Sequence, residues 1–439
     1  MKTPIYDFAR AYADKGNIRL HMPGHKGKSF LGCEALDITE FDGADSLYHA
    51  DGIILESENN ASALFGSAHT FYSTEGSSHC IRAMLYLIKS VGGEDTRILA
   101  GRNAHKTFIS AAALLGIDVD WLYGEDDSYL SCSIKPKALA SHISSMEKKP
   151  TAIYITSPDY LGNVADVERL SQVCRDNGII LAVDNAHGAY LKFSSSHSHP
   201  IDQGADICCD SAHKTLPVLT GGAYLHVSRS APEGFERDAR NALSLFGSTS
   251  PSYLILQSLD LANKYVSSGY VKKLNYFCER VSELKITLSN FGYKLIGTEP
   301  MKITISAKEF GYLGDELAEE IAKKGGVCEF YDPDFVVLML TPELDLTKIK
   351  NILFGIKRKD AITSTAPRLP KPKVAMSPAR AIFAPSEELD TEKCLGRILA
   401  SVSVSCPPAV PVVVCGEIID ETAIEALKYY GISKCRVIK

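Results

Sequence analysis

The chain has 439 residues, with 47 Lys and Arg against 53 Asp and Glu, a formal net charge of −6. At 45% hydrophobic and 23% charged it can bury a large core, which excludes a disordered or collagen-like chain, and its length predicts two or three domains. The acidic balance, without a marked Lys/Arg patch, argues against a nucleic-acid partner, whose phosphates need a basic surface.

Twelve Cys are sparse in a chain this long. Several lie in apolar runs such as Ile207-Cys208-Cys209 and Val414-Cys415, where a free thiol behaves as a small hydrophobe, so a reducing, cytoplasmic setting is expected. The start, Met1 to Phe8, lacks an apolar stretch, and the longest apolar runs, Ile179 to Val183 and Val410 to Val414, are strand-sized. Neither a signal peptide nor a membrane span is expected.

In chain order, Thr70 to Val227 alternates short apolar runs with helical patterns. Strands are predicted at Arg97–Ala100, Ala152–Ile155, Ile179–Val183, Ile207–Cys209 and Gly222–Val227, with helices at His79–Ser90, Phe108–Leu115 and Asp166–Asn177. Such alternation builds a mostly parallel α/β sheet with its ligand site at the carboxyl ends of the strands. A long helical stretch from about Ser250 to Ser289 follows. Then come a strand (Met301–Ser306), a helix (Gly314–Lys324), strands (Val327–Tyr331 and Phe335–Leu340) and a helix (Asp345–Lys357). Ala361 to Met376, rich in Pro, Thr, Ser and Lys, reads as a linker or loop, and a short helix and a terminal α/β piece close the chain. The domain expectation is an arm over 1–69, a large domain over 70–285, a small α/β domain over 286–360 and a C-terminal domain over 361–439.

The chemistry concentrates at two strand ends. The run Ile207-Cys208-Cys209-Asp210 is followed by Ser211-Ala212-His213-Lys214, and a lysine held in a cleft after a strand can form a Schiff base once its amine pKa is lowered. Thirty residues earlier the preceding strand ends in Asp184-Asn185-Ala186-His187-Gly188. A carboxylate beside such a lysine is what pyridoxal 5'-phosphate requires, because a buried anion keeps its ring nitrogen protonated. Ser73-Thr74-Glu75-Gly76-Ser77-Ser78 precedes an apolar helix whose N-terminus suits a phosphate, and Arg102-Asn103-Ala104-His105-Lys106 puts an imidazole after another strand. Ser194 to His199, with two histidines, reads as a solvated loop; no metal site is expected, and Cys208 and Cys209 point to opposite faces as core residues.

Together these residues resemble the ornithine/lysine/arginine decarboxylases of the pyridoxal-phosphate-dependent fold type I (aspartate-aminotransferase) class. The similarity rests on Leu20-His21-Met22-Pro23-Gly24-His25-Lys26-Gly27, Asp37-Ile38-Thr39-Glu40, Arg102 to Lys106, Ser157 to Gly162, Asp184 to Gly188 and Ser211 to Lys214. It continues through Thr249 to Tyr253, Gly396-Arg397-Ile398 and Pro407 to Pro411 with Gly416-Glu417, all in the expected order. The resemblance implies α-decarboxylation of lysine, arginine or ornithine to an amine and CO2. The alternatives are an aminotransferase or lyase on the same fold, with Arg380 or Arg397 clamping the α-carboxylate, or a weak homologue kept for binding.

It further implies that Lys214 carries pyridoxal 5'-phosphate, Asp184 pairs with its ring nitrogen, His105 stacks on the ring and Ala186 packs on the other face. Gly76, Ser77, Ser78, Ser211 and His213 would bind the phosphate, with Ser248 or Thr249 reaching in from a partner in a homodimer or larger assembly with shared sites. The His21 to Gly27 segment would lie near that interface. Two positions depart from the family pattern: Glu75 stands where Asn is usual, and Ala409 where Gly is usual. The length fits the short form without a response-regulator-like N-terminal domain. For the substrate's distal cation, Glu417, Glu387, Glu388, Asp45 and Glu75 are all candidates.

Overall fold

The computed structural model describes residues 1–124, 128–402 and 408–439. They form two compact units. The first comprises Met1–Thr96, Leu139–Ser157 and Asp166–Lys272; the second comprises Arg97–Ala138, Pro158–Ala165 and Lys273–Lys439. No helix among these residues is long and apolar enough to cross a membrane.

The α/β part of the chain holds seven strands: β1 (His69–Ser73), β2 (Arg97–Gly101), β3 (Asp118–Leu122), β4 (Ala152–Thr156), β5 (Ile180–Asp184), β6 (Ile207–Asp210) and β7 (Ala223–Val227). In the first unit β4, β5 and β6 pair in parallel, β7 runs antiparallel to β6, and β1 runs antiparallel to β7. In the second unit β2 and β3 pair in parallel. The strand β5 is Ile-Leu-Ala-Val-Asp and β6 is Ile-Cys-Cys-Asp, buried throughout, because a strand covered on both faces must be apolar on both. The crossover from β4 to β5 is the helix Val167–Asn177. Asp166 caps it by accepting the Arg169 N–H at 3.2 Å, and Gly178 closes it in the left-handed region at φ 67°.

The N-terminal helix Pro4–Asp14 is tied down by one carboxylate. Asp260, on the helix Tyr253–Tyr265, accepts the Ile5 and Tyr6 N–H groups at 2.9 and 3.1 Å and the Ser57 hydroxyl at 2.6 Å. Burial pushes its pKa up to about 6. The helical stretch after Ser250 is two helices rather than one, since Ser268 and Gly269 leave helical geometry between Tyr253–Tyr265 and Val271–Phe291.

In the second unit β8 (Lys294–Ile296), β9 (Lys302–Ser306), β10 (Phe330–Tyr331) and β11 (Phe335–Met339) form an antiparallel sheet in the order β10-β11-β9-β8. The strands β12 (Ser386–Asp390) and β13 (Lys434–Ile438) pair antiparallel. Tyr129, Leu161, Phe330, Val337, Val410, Val412 and Ile419 share one core there. Residues 361–376 form neither helix nor strand apart from a bridge from Val374 to Glu417. Of the Pro407 to Pro411 motif, Pro407 lies outside the described residues.

Ala409 stands at φ 58°, buried, with its carbonyl accepting the Lys106 N–H at 2.8 Å. A Cβ in this left-handed conformation is strained, so glycine suits this position better than alanine. Ala409→Gly is expected to raise stability by up to about 1 kcal/mol, read as a higher urea midpoint at unchanged slope.

Candidate functional site

The site in the first unit grows from the carboxyl ends of β5 and β6. Asp184, the last residue of β5, is 2% exposed, yet its carboxylate receives few protons. Oδ1 accepts the Ala186 N–H at 3.1 Å and, more distantly, the Cys209 thiol at 3.7 Å, and Oδ2 accepts the Tyr154 hydroxyl at 3.2 Å. Burial raises the Asp184 pKa, while the charge of Lys214 and these donors oppose the rise. A buried anion this sparsely hydrogen-bonded calls for a cation.

That cation comes from the short helix Ala212–Thr215, which follows β6 and carries the half-buried Lys214. Its Nζ lies 3.0 Å from His187 Nε2. Ser211, immediately before this helix, donates its hydroxyl to Ser77 Oγ at 2.8 Å, and Ser77 lies in the first turn of the helix Gly76–Gly92. Two hydroxyls from different elements thus meet where helix N–H groups lack partners within the helix. Gly76 itself sits at φ +73°, and a Cβ built there meets nothing within 4 Å, so open space lies before the helix start. His213 turns its Nδ1 toward the Gly222 carbonyl at 3.0 Å.

The loop of Ser248 and Thr249 is exposed, and the Ser248 N–H donates to Glu75 Oε1 at 2.6 Å. The structure thus brings Asp184, Ala186, Lys214, Ser211, Ser77 and Gly76 to one end of one unit. His105 belongs to the other unit, where its Nδ1 caps the helix Lys106–Leu115 by accepting the Thr107 N–H at 3.1 Å.

Sequence reading missed three contributors. His187 stands inside the Asp184 to Gly188 motif, and Tyr154 lies in an apolar strand, with no local signal that sets either apart. The third is a buried set on β6: Asp210 takes His199 Nε2 at 3.0 Å and His226 Nε2 at 3.2 Å on Oδ2, and Asn185 Nδ2 at 2.6 Å on Oδ1. Although burial alone raises the Asp210 pKa, the two imidazoles hold it well below the usual carboxylate range. The expected solvated loop is therefore corrected at His199, which is fully buried, while Ser195 to His197 are exposed. His199, Cys208 and Asp210 also offer N, S and O atoms within 4.8 Å of one another, and the hydrogen bonds just given close this group.

Most of the carboxylates proposed for the substrate's distal cation are engaged. Asp45 receives five backbone N–H groups, from Ser46, Asp51, Gly52, Ile54 and Leu55. Glu387 pairs with Arg397 at 2.8 Å, which also removes that arginine as an α-carboxylate clamp, and Glu388 lies 3.4 Å from Lys434. Glu417 is buried against Arg102 at 3.2 Å and accepts the Val414 N–H at 2.7 Å; burial raises its pKa and Arg102 opposes that. Arg102 also donates to the Pro411 and Val412 carbonyls and lies over the Trp121 ring.

A parallel strand pair with a buried aspartate at the end of one strand and a lysine in the short helix after the other, beside a helix N-terminus rimmed with serines, sits in a chain of fold type I, the class of the pyridoxal-phosphate-dependent enzymes. Lysine decarboxylase A from Pseudomonas aeruginosa shares this fold with a TM-score of 0.82 at 17% identity, covering 99% of this chain and 80% of that one. The chain belongs to the Orn/Lys/Arg decarboxylase family, matching its major domain over residues 3–345, and is a decarboxylase of basic amino acids. It is 27% identical over 473 residues to an arginine decarboxylase of Halalkalibacterium halodurans, covering 97% of this chain and 93% of the relative. It is 28% identical over 461 residues to one of Bacillus subtilis, covering 96% and 92%.

Arg102→Met leaves Glu417 buried without its cation and is expected to cost about 3 kcal/mol. The double variant Arg102→Met, Glu417→Met should recover most of that loss, measured by urea denaturation of the three proteins.

Proposed function

We propose that this enzyme decarboxylates arginine with pyridoxal 5'-phosphate, which Lys214 holds covalently through Nζ. The observation that carries the cofactor assignment is the sparsely hydrogen-bonded, buried Asp184 with the Lys214 charge beside it. Arginine is favoured because two relatives aligned over 96–97% of this chain at 27–28% identity carry the name arginine decarboxylase, whereas the lysine decarboxylase shares the fold at 17% identity.

The bound cofactor supplies an electron sink for the bond pair released when CO2 departs. Asp184 keeps the proton on the ring nitrogen, and Tyr154 and the Ala186 N–H fix the carboxylate for that task. His187, 3.0 Å from Lys214 Nζ, exchanges a proton with the amine, which must shed one to act as a nucleophile. Gly76, Ser77, Ser78, Ser211 and His213 would hold the phosphate, and Ala186 would cover one ring face. The open space before Gly76 and the meeting of the Ser77 and Ser211 hydroxyls fit a phosphate group.

The working unit is at least a homodimer. Ser248 and Thr249 are exposed and reach the phosphate of a second copy. The N-terminal arm exposes Ile18, Leu20, Met22, Phe30 and Leu31, an apolar surface suited to a subunit interface.

Incubation with arginine, lysine and ornithine is expected to release CO2 fastest from arginine, with agmatine as the amine identified by mass spectrometry. A keto acid formed without CO2 would overturn this reading. Lys214→Ala is expected to lose activity and the borohydride-reducible absorbance of the wild type. Glu75 places a carboxylate at the start of the phosphate-binding helix, so Glu75→Gln, which keeps an acceptor for the Ser248 N–H, is expected to tighten cofactor binding several-fold. Equilibrium titration of the stripped protein measures this, and an unchanged affinity would show that Glu75 points its charge elsewhere.

A further inference from the structure

The second unit contains a cavity of about 300 Å³, lined by Tyr129, Phe330, Tyr331, Asp332, Val412 and Tyr430, among others. It is independent of the reading under Proposed function. Asp332 follows β10 and is 8% exposed. One carboxylate oxygen, Oδ1, accepts the Asp334 and Phe335 N–H groups, each at 2.8 Å. The other, Oδ2, is buried and has no hydrogen-bond partner among the described residues. Leaving a carboxylate oxygen so costs the fold free energy unless something else supplies a charge or a proton.

The surroundings specify that something. The rings of Tyr129 and Tyr430 lie 4.5 Å apart at 54°, and Tyr429 meets Tyr430 edge-on at 5.0 Å. Tyrosine rings lining a cavity together with a carboxylate suit an organic cation and disfavour an anion. The same cluster already holds one such cation from within the chain. The Lys308 ammonium sits 2.8 Å from Asp334 and 5.0 Å from the centre of the Tyr429 ring, and it also meets the Tyr429 hydroxyl. Asp332, two residues away, repeats the carboxylate and the tyrosines without a lysine of its own, and Asp315 adds a further, exposed carboxylate to the lining.

We propose that this cavity binds a protonated alkylamine, its ammonium seated on Asp332 Oδ2 and its methylenes against the tyrosine rings. The groups facing Asp332 agree with an unfilled cation site: burial raises its pKa to about 7, the backbone donors lower it, the Asp334 charge raises it and Lys308 lowers it. The carboxylate form that a cation needs therefore grows in as pH rises through 7, and Lys308, which belongs to Asp334, is the only ammonium among those named groups.

The test is calorimetric titration of the whole enzyme, as purified, with 1,5-diaminopentane and with 1,5-pentanediol, the uncharged analogue of the same length. The diamine is expected to bind and the diol not to. Asp332→Asn keeps the acceptor for the two backbone N–H groups and is expected to weaken diamine binding at least about ten-fold. In the wild type binding should tighten from pH 6 to pH 8, a change absent in Asp332→Asn. Tyr430→Leu keeps the carboxylate and removes a ring, with an expected loss of about three- to ten-fold. Equal binding of the diol, or an affinity unchanged in Asp332→Asn, would overturn the proposal. Should Asp332→Asn fail to fold, an unchanged affinity in Tyr430→Leu would do so.

Discussion

Burial of Asp184 at the end of β5 is the constraint around which the first unit is arranged. A carboxylate removed from water must gain protons to accept or a cation to face, and among the described residues this one gains a backbone N–H, a tyrosine hydroxyl and a distant thiol. Parallel pairing of β5 with β6 sets the next strand end beside it, and β6 leads directly into the helix that carries Lys214. The lysine meets the need only in part, since burial still leaves the Asp184 pKa raised. A charge mismatch built into a rigid strand end suits a site whose remaining cation is brought by a cofactor.

Asp210, one strand over, shows the opposite solution. It is as deeply buried, yet two imidazole N–H groups and an amide satisfy both its oxygens. The neutral tautomers fit the rest of the network, because the other nitrogen of His226 faces the Thr70 hydroxyl at 2.8 Å and that of His199 accepts the Ile201 N–H at 3.3 Å. Such a closed network fixes where β6 and β7 sit relative to the loop from Ser194 to His199, and hence the position from which Lys214 projects.

Much of this was legible in the sequence because apolar runs covered on both faces have a distinctive pattern. The strands β4 to β7 were predicted within a residue or two, and with them the placement of Asp184 and Lys214 at strand ends. The strand β1 was not, because its buried residues include His69 and Thr70, whose polarity is met by Glu58, Ser67 and Ser62 rather than by water. Nor was β3, Asp-Val-Asp-Trp-Leu, a half-exposed strand without an apolar run. Histidine fates resisted prediction for a related reason: His199 is buried through a partner on another strand, and local sequence does not show that partner. Glu417 looked available for a substrate because its cation, Arg102, is 315 residues away along the chain.

Counting the protons each buried carboxylate receives separates structural anions from receptive ones. Asp45 takes five backbone N–H groups and holds a helix start, Asp210 takes three side-chain donors and holds two strands, and Glu417 takes a guanidinium and an N–H. Asp45 and Asp210 are complete within the chain, and Glu417, whose Oε1 has no hydrogen-bond partner among the described residues, has its charge met by Arg102 on Oε2, so substituting a partner should change stability more than chemistry. Asp184 and Asp332 are incomplete in different ways, the first thinly served on both oxygens and the second fully served on one and bare on the other. A thinly served pair of oxygens suits a shared proton on a ring nitrogen, which needs a charged and only lightly held acceptor. A single bare oxygen among ring faces suits an ammonium, which brings several protons and an apolar stem, and this difference in demand distinguishes two cationic ligands in one chain by the carboxylates that meet them.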